Sequence, residues 1–199
     1  MSLFRRSPGD GRWIVVGLGN PGDRYEQTRH NAGAMVVGVL TDRIGGKLKS
    51  HRSGCLVAEG RLAGEPVVIG RPTSFMNESG RPVRQLVSFY KTSLDRLVVV
   101  HDELDIPFGD IRLKEGGGVA GHNGLKSLGS HLGSKEFLRV RLGIGRPRGD
   151  RAATDHVLDR FSGSERKELP DLLERAADAV ERIVEVGMER AMNEFNTRA

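Results

Sequence analysis

Three amides beside turns, one imidazole and one carboxylate are the side chains of this sequence whose types and places suggest chemistry. Asn20 precedes Pro21-Gly22, Asn77 lies shortly before Gly80, and Asn123 is followed by Gly124. Each alone reads as an ordinary turn asparagine. Taken with His30 and Asp102 they form a set with a use. A neutral imidazole can take a proton from water, a carboxylate can fix its tautomer and stabilise the imidazolium, and amide donors can polarise a carbonyl. Such a set suits hydrolysis without a metal.

Other chemistries lack their local patterns. There is no G-x-S-x-G elbow, no H-E-x-x-H and no G-x-x-x-x-G-K-[ST] loop. His101, Asp102, Glu103 and Asp105 look like metal ligands, but neighbours at a strand end point to opposite faces, so they cannot all converge. Cys55 is the only cysteine, which rules out an intrachain disulfide or a Cys-x-x-Cys site, and its strand-like surroundings make it a core residue. Neither a cofactor nor a metal is expected.

The elements that must position these groups are arranged around Gly17 to Gly33, a polar stretch between the apolar run Trp13–Val16 and a helix beginning near Ala32. Gly17, Gly19 and Gly22 match a dinucleotide-binding G-x-G-x-x-G, with Asp42 downstream. That motif needs its helix to begin inside the glycine loop, whereas Asp23 to Arg29 is polar throughout and helical apolar spacing starts only at Met35. Further strands are expected over 55–60, 66–70, 97–100, 111–114 and 137–144. Helices are expected over 80–90, 125–132, 165–186 and 189–195, the third opened by a Ser162/Glu165 capping box and closed by Gly187. Interleaved strands and helices give one α/β domain, a twisted mixed sheet flanked by helices, over residues 12–199. Residues 1–11 read as a loose N-terminal extension without a signal-peptide core. No apolar run is long enough to span a membrane, and a cytoplasmic protein is expected.

The charge points outward. Thirty-one Lys and Arg against 26 Asp and Glu leave +5, which favours polyanionic partners. Arg139 and Arg141 alternate along one strand, as Arg112 and Lys114 do along another, so two basic strand faces suggest a phosphate-binding surface. Arg146, Arg148 and Arg151 extend the cluster.

The motifs G-L-G-N-P-G, T-R-H-N-A-G, S-F-M-N-E-S-G, H-D-E-L-D and G-H-N-G-L, in this order and spacing, resemble the bacterial-type peptidyl-tRNA hydrolases, and M-N-E-F-N resembles the family's C-terminal segment. The resemblance runs from Trp13 to about Asn196. It implies metal-free hydrolysis of the ester between a peptide and the terminal ribose of tRNA. His30 would be the general base, Asp102 its support, and Asn20 a substrate contact that helps select an N-blocked aminoacyl group. Tyr25, Phe75, Asn77 and Asn123 would line the site, Met76 and His122 would be neighbours in the cleft, and Arg112 and Arg141 would meet tRNA phosphate. A cytoplasmic monomer acting on peptidyl-tRNA, without cofactor or membrane, is the expectation. One departure stands out: Val119-Ala120 occupy a loop that is commonly glycine-rich in the family. A different class also uses this fold, the chloroplast splicing factors that bind RNA without hydrolysing it, but the complete set Asn20, His30, Asn77, Asp102 and Asn123 favours the enzyme.

Overall fold

A computed structural model describes residues 11–196; the expected extension, apart from Gly11, lies outside the described residues. The strands are β1 (Trp13–Gly17), β2 (Lys49–Ser50), β3 (Cys55–Leu62), β4 (Glu65–Pro72), β5 (Leu97–Glu103), β6 (Ile111–Glu115) and β7 (Leu138–Gly143). The helices are α1 (Ala32–Arg43), α2 (Gly80–Tyr90), α3 (Asn123–Leu132), α4 (Ala153–Leu158), α5 (Gly163–Val186) and α6 (Met188–Phe195). All seven strands form one mixed sheet in the order β2-β3-β4-β1-β5-β7-β6. The central strands β4, β1, β5 and β7 run parallel, and antiparallel strands close both sides.

The parallel strands are the apolar runs of the sequence because both of their faces are covered. Val15, Val67, Ile69, Val98, Val100 and Val140 pack on one side against α1, α5 and α6. Ile14, Val16, Val68, Leu97 and Val99 pack on the other against α2 and α3. Each such buried side chain contributes about 1.5–3 kcal/mol. The Ser162/Glu165 capping box is formed, with each side chain bonded to the other residue's backbone N–H.

Two differences from the sequence reading bear on the site. β5 continues through His101 and Asp102 to Glu103, because that stretch stays in register with Arg141 to Gly143 of β7. The polar cluster therefore belongs to the end of the strand itself. α4 was not expected: it has six residues, none of them buried, so no apolar periodicity marks it in the sequence.

The glycines at the start of the first loop serve close packing. A Cβ on Gly17 would lie 2.1 Å from the Gly33 carbonyl oxygen, and one on Gly33 would lie 2.1 Å from the Val100 oxygen. α1 thus crosses β1 and β5 with bare backbone between them, and it begins at Ala32, well after the G-x-G-x-x-G match. Gly33→Ala should lower stability. An alanine inside a helix ordinarily gains about 0.5–1 kcal/mol over glycine. Here it must displace strand backbone, and overpacking of about 1–3 kcal/mol outweighs that gain. Denaturant titration checks this, and a variant as stable as the parent would show that the crossing can widen.

Candidate active site

The parallel strands all end at one edge of the sheet, where open α/β sheets bind their ligands. There the loop after β1 carries Asn20, Tyr25 and His30, the segment after β4 carries Phe75, Met76 and Asn77, and β5 delivers Asp102. α3 starts beside them with His122 and Asn123.

Asp102 is 2% exposed and accepts from two imidazoles. His30 Nδ1 lies 3.0 Å from both carboxylate oxygens, and His122 Nε2 lies 3.0 Å from Oδ1. Both tautomers follow from the bonding. His122 Nδ1 accepts the backbone N–H of Leu125 at 3.4 Å as the cap of α3, so Nε2 carries the proton. His30 donates Nδ1–H to the carboxylate, which leaves Nε2 with a free lone pair. Burial alone would raise the Asp102 pKa, but the flanking His122 and His30 and their hydrogen bonds outweigh it and hold the carboxyl well below its usual range. Asp102 is an anion at neutral pH.

Asn20 is held by its neighbours on three sides. Its Oδ1 accepts Met76 N at 2.8 Å, its own N–H donates to Asn31 Oδ1 at 2.9 Å, and Asn31 Nδ2 donates to its carbonyl at 2.9 Å. With Oδ1 engaged, Nδ2 is the donor left to the side chain, without a partner among the described residues. Asn31 does this positioning and was missed in the sequence, where only its place in T-R-H-N-A-G hinted at it. The role of His122 on Asp102 was missed as well, since the sequence placed it only as a neighbour in the cleft.

A cleft of about 100 Å³ is bordered by His30, Asp102, His122, Asn123 and Ala120, with Thr154 and Val157 of α4 as its outer wall. Tyr25 and Phe75 meet edge to face with ring centroids 6.3 Å apart, and Phe75 is half exposed. Asn77 is exposed on the turn Met76–Glu78, and no hydrogen bond among the described residues ties it to the others. Ala120 adopts φ 45°, the left-handed region that favours glycine.

Arg112 and Arg141 are direct cross-strand partners on β6 and β7, and neither is among the residues that line the cleft. Arg141 is partly buried, and desolvation holds its pKa below the usual arginine value. Arg139 does not belong to a phosphate-binding face: it is 1% exposed and donates to the carbonyls of Gly117, Gly118 and Lys135, clamping the glycine-rich loop. Arg146 and Arg151 are ion-paired with Asp105 and Asp159. The sequence counted these charges without seeing their partners.

His30, Asp102 and His122 also form the one group of His, Cys, Asp and Glu among the described residues whose ligand atoms all lie within 4.8 Å of one another. The bonding described above uses that proximity for N–H donation to a carboxylate. His101 and Glu103 take no part, as the alternation of β5 requires, and Asp105, beyond the end of the strand, pairs with Arg146. Cys55 is buried, and burial pushes its thiol up to about 11 against the hydrogen bond from Ser53, which suits a core residue.

Residues 14–199 match the family model described as "Peptidyl-tRNA hydrolase". The chain belongs to the peptidyl-tRNA hydrolase family. The peptidyl-tRNA hydrolase of Frankia casuarinae is 58% identical over 188 residues, covering 94% of this chain and 95% of the relative. That of Mycolicibacterium vanbaalenii is 59% identical over 181 residues, 90% of this chain and 94% of its own. The crystal structure of peptidyl-tRNA hydrolase from Acinetobacter baumannii superposes with a TM-score of 0.87 at 37% identity, covering 94% of this chain and 95% of that one. No helix among the described residues is long and apolar enough to cross a membrane.

Behind the site, His101 is wholly buried; its Nδ1–H donates to the Asp102 carbonyl at 2.7 Å, and Nε2 has no partner among the described residues. Burial, with His122 nearby, pushes its pKa down to about 3. The folded state therefore refuses a proton that the unfolded chain accepts below about pH 6.5, so stability falls as pH drops from 6.5 towards 3. Asp102, whose folded pKa is depressed, loses its own contribution only below the ordinary carboxylate range near pH 4. His101→Gln should flatten the fall between pH 6.5 and 4, read as thermal midpoint against pH. An unchanged slope would assign the acid sensitivity elsewhere.

Proposed function

We propose that His30 is the general base in the hydrolysis of peptidyl-tRNA, the reaction its family is named for, and that Asp102 orients it. The observation that carries this reading is the contact of His30 Nδ1 with both oxygens of a buried, ionised Asp102, which directs the Nε2 lone pair outward. Water held at Nε2 gives up a proton as its oxygen attacks the ester carbonyl carbon. The imidazolium that forms is stabilised by the carboxylate and returns the proton to the departing ribose oxygen, so that free tRNA and a peptide acid result. Asn20 offers Nδ2–H to the carbonyl oxygen as negative charge develops there.

Tyr25, Phe75, Asn77 and Asn123 bind the tRNA 3′ end and the peptide, and Arg112 and Arg141 bind phosphate. The protein works as a cytoplasmic monomer without a metal or other cofactor.

Purified protein should release free tRNA from N-blocked aminoacyl-tRNA and keep doing so in chelator; binding without release would favour an RNA-binding role, and loss restored by a divalent ion would mean a metal step. His30→Ala should lower kcat on the order of a hundred-fold or more with little change in tRNA binding, and Asp102→Asn should act in the same direction less severely. Near-normal turnover of His30→Ala would place the base elsewhere.

For the phosphate contacts, Arg112→Ala with Arg141→Ala should raise KM for the whole tRNA substrate and leave kcat unchanged. The salt slope of log K should become shallower by roughly 1.4 to 1.8, at about 0.7 to 0.9 per contact. Wild-type KM and slope in the double variant would leave these two as solvated strand charge.

A further inference from the structure

The outer side of α2 carries charge that no other described residue pairs with. Arg81, Arg84 and Ser88 follow one another along it at helical spacing. They face Arg52, from the turn between β2 and β3, and His131, near the end of α3, around a groove of about 640 Å³. A neighbouring hollow of about 490 Å³ shares Arg84, Ser88 and His131 and is lined with further hydroxyls. Among the described residues no carboxylate lines either one.

Other arginines of the chain are paired within the fold. Arg43 holds three carboxylates, and Arg12, Arg29, Arg146, Arg151, Arg175 and Arg182 each hold at least one. Arg52, Arg81 and Arg84 are exposed, and among the described residues none of the three has an ion pair or a hydrogen bond. Arg52 instead lies over the half-exposed ring of Phe89, at 5.7 Å. Charges of one sign around one hollow, with hydroxyl donors beside them, suit an anion that spans several positions. Phosphodiester backbone is such an anion: guanidinium forks and serine hydroxyls are among its usual protein donors.

We propose that this groove is a second contact for the phosphate backbone of the substrate's tRNA, separate from Arg112 and Arg141; it rests on the reading of tRNA as substrate. Its place supports that partner. Only Ser79 separates α2 from the turn Met76–Glu78, whose Met76 N–H holds Asn20, so Arg81 stands next to the site and Arg84 one turn further out. Strand order puts β2, which leads into the Arg52 turn, at one edge of the sheet and β6, with Arg112, at the other. Six strand spacings separate those edges, roughly 29 Å at about 4.8 Å each, so Arg52 and Arg112 hold different phosphates.

The test compares the full chain with its Arg81→Ala/Arg84→Ala and Arg81→Lys/Arg84→Lys variants, titrating deacylated tRNA over a range of salt. The alanine pair should weaken binding on the order of ten-fold or more at low salt, and its salt slope should become shallower by roughly 1.4 to 1.8. The lysine pair should keep the slope, which a purely structural role would not predict. KM for peptidyl-tRNA should rise with kcat unchanged, and hydrolysis of a short N-blocked aminoacyl-nucleotide ester should not change. An alanine pair with wild-type affinity and slope would overturn the proposal, and so would an equal loss on the short ester, which would mean that the residues act through the cleft. Wild-type protein that binds tRNA through this groove yet releases none from the ester would instead sink the hydrolytic mechanism and leave the groove standing.

Discussion

A buried carboxylate must be paid for with hydrogen bonds, and in this fold Asp102 draws them from two imidazoles on two different elements. Desolvating an ion costs several kcal/mol even in a relaxed protein, so removing either donor would leave that cost partly uncompensated. One donor comes from the loop after β1 and the other from the cap of α3. The end of β5, that loop and the start of α3 are therefore held together by the same bonds that set the tautomer of His30. Structural and chemical demands coincide at this one side chain.

The loop carrying His30 is fastened from its other side too. Arg29, immediately before it, donates to the carbonyl of Arg160 at 2.9 Å and pairs with Glu165 at 2.6 Å, and its guanidinium lies over the Phe161 ring. Glu165 is also the residue that completes the capping box of α5, so the start of that helix and the base loop share an anchor. Beneath them the bare glycine crossing lets α1 sit close to β1 and β5. A base fixed between a carboxylate and a helix start needs little reorganisation to meet its substrate.

Much of this was legible in the sequence because it is carried by period and punctuation. The apolar runs gave the parallel strands, the 3.6-residue spacing gave α2 and α5, and Ser162 with Glu165 marked a helix start. The pairing of His30 with Asp102, 72 residues apart, came from chemistry and family resemblance, and the geometry brings the two within bonding distance. What escaped were side chains whose partners are backbone groups or amides that no motif marks. Arg139 looks like a surface cation until the carbonyls of the glycine loop are seen around it, and Asn31 looks like any turn residue until Asn20 is seen against it. α4 escaped for a different reason, since a short helix with no buried face leaves no pattern to read.

The hydrogen bonds of Asn196 reach beyond the helix it follows. Its amide accepts the Leu113 N–H at 2.7 Å and donates to the Leu113 carbonyl at 2.9 Å, so it occupies backbone groups that β6, the last strand on its side of the sheet, would otherwise present to another chain. The opposite edge is β2, only two exposed residues long. Open strand edges invite pairing between molecules. At Leu113 the β6 edge is thus closed by a side-chain amide that imitates a strand, which takes that rung out of pairing between molecules, while on the other side β2 covers only Leu56 and Val57 of the longer β3.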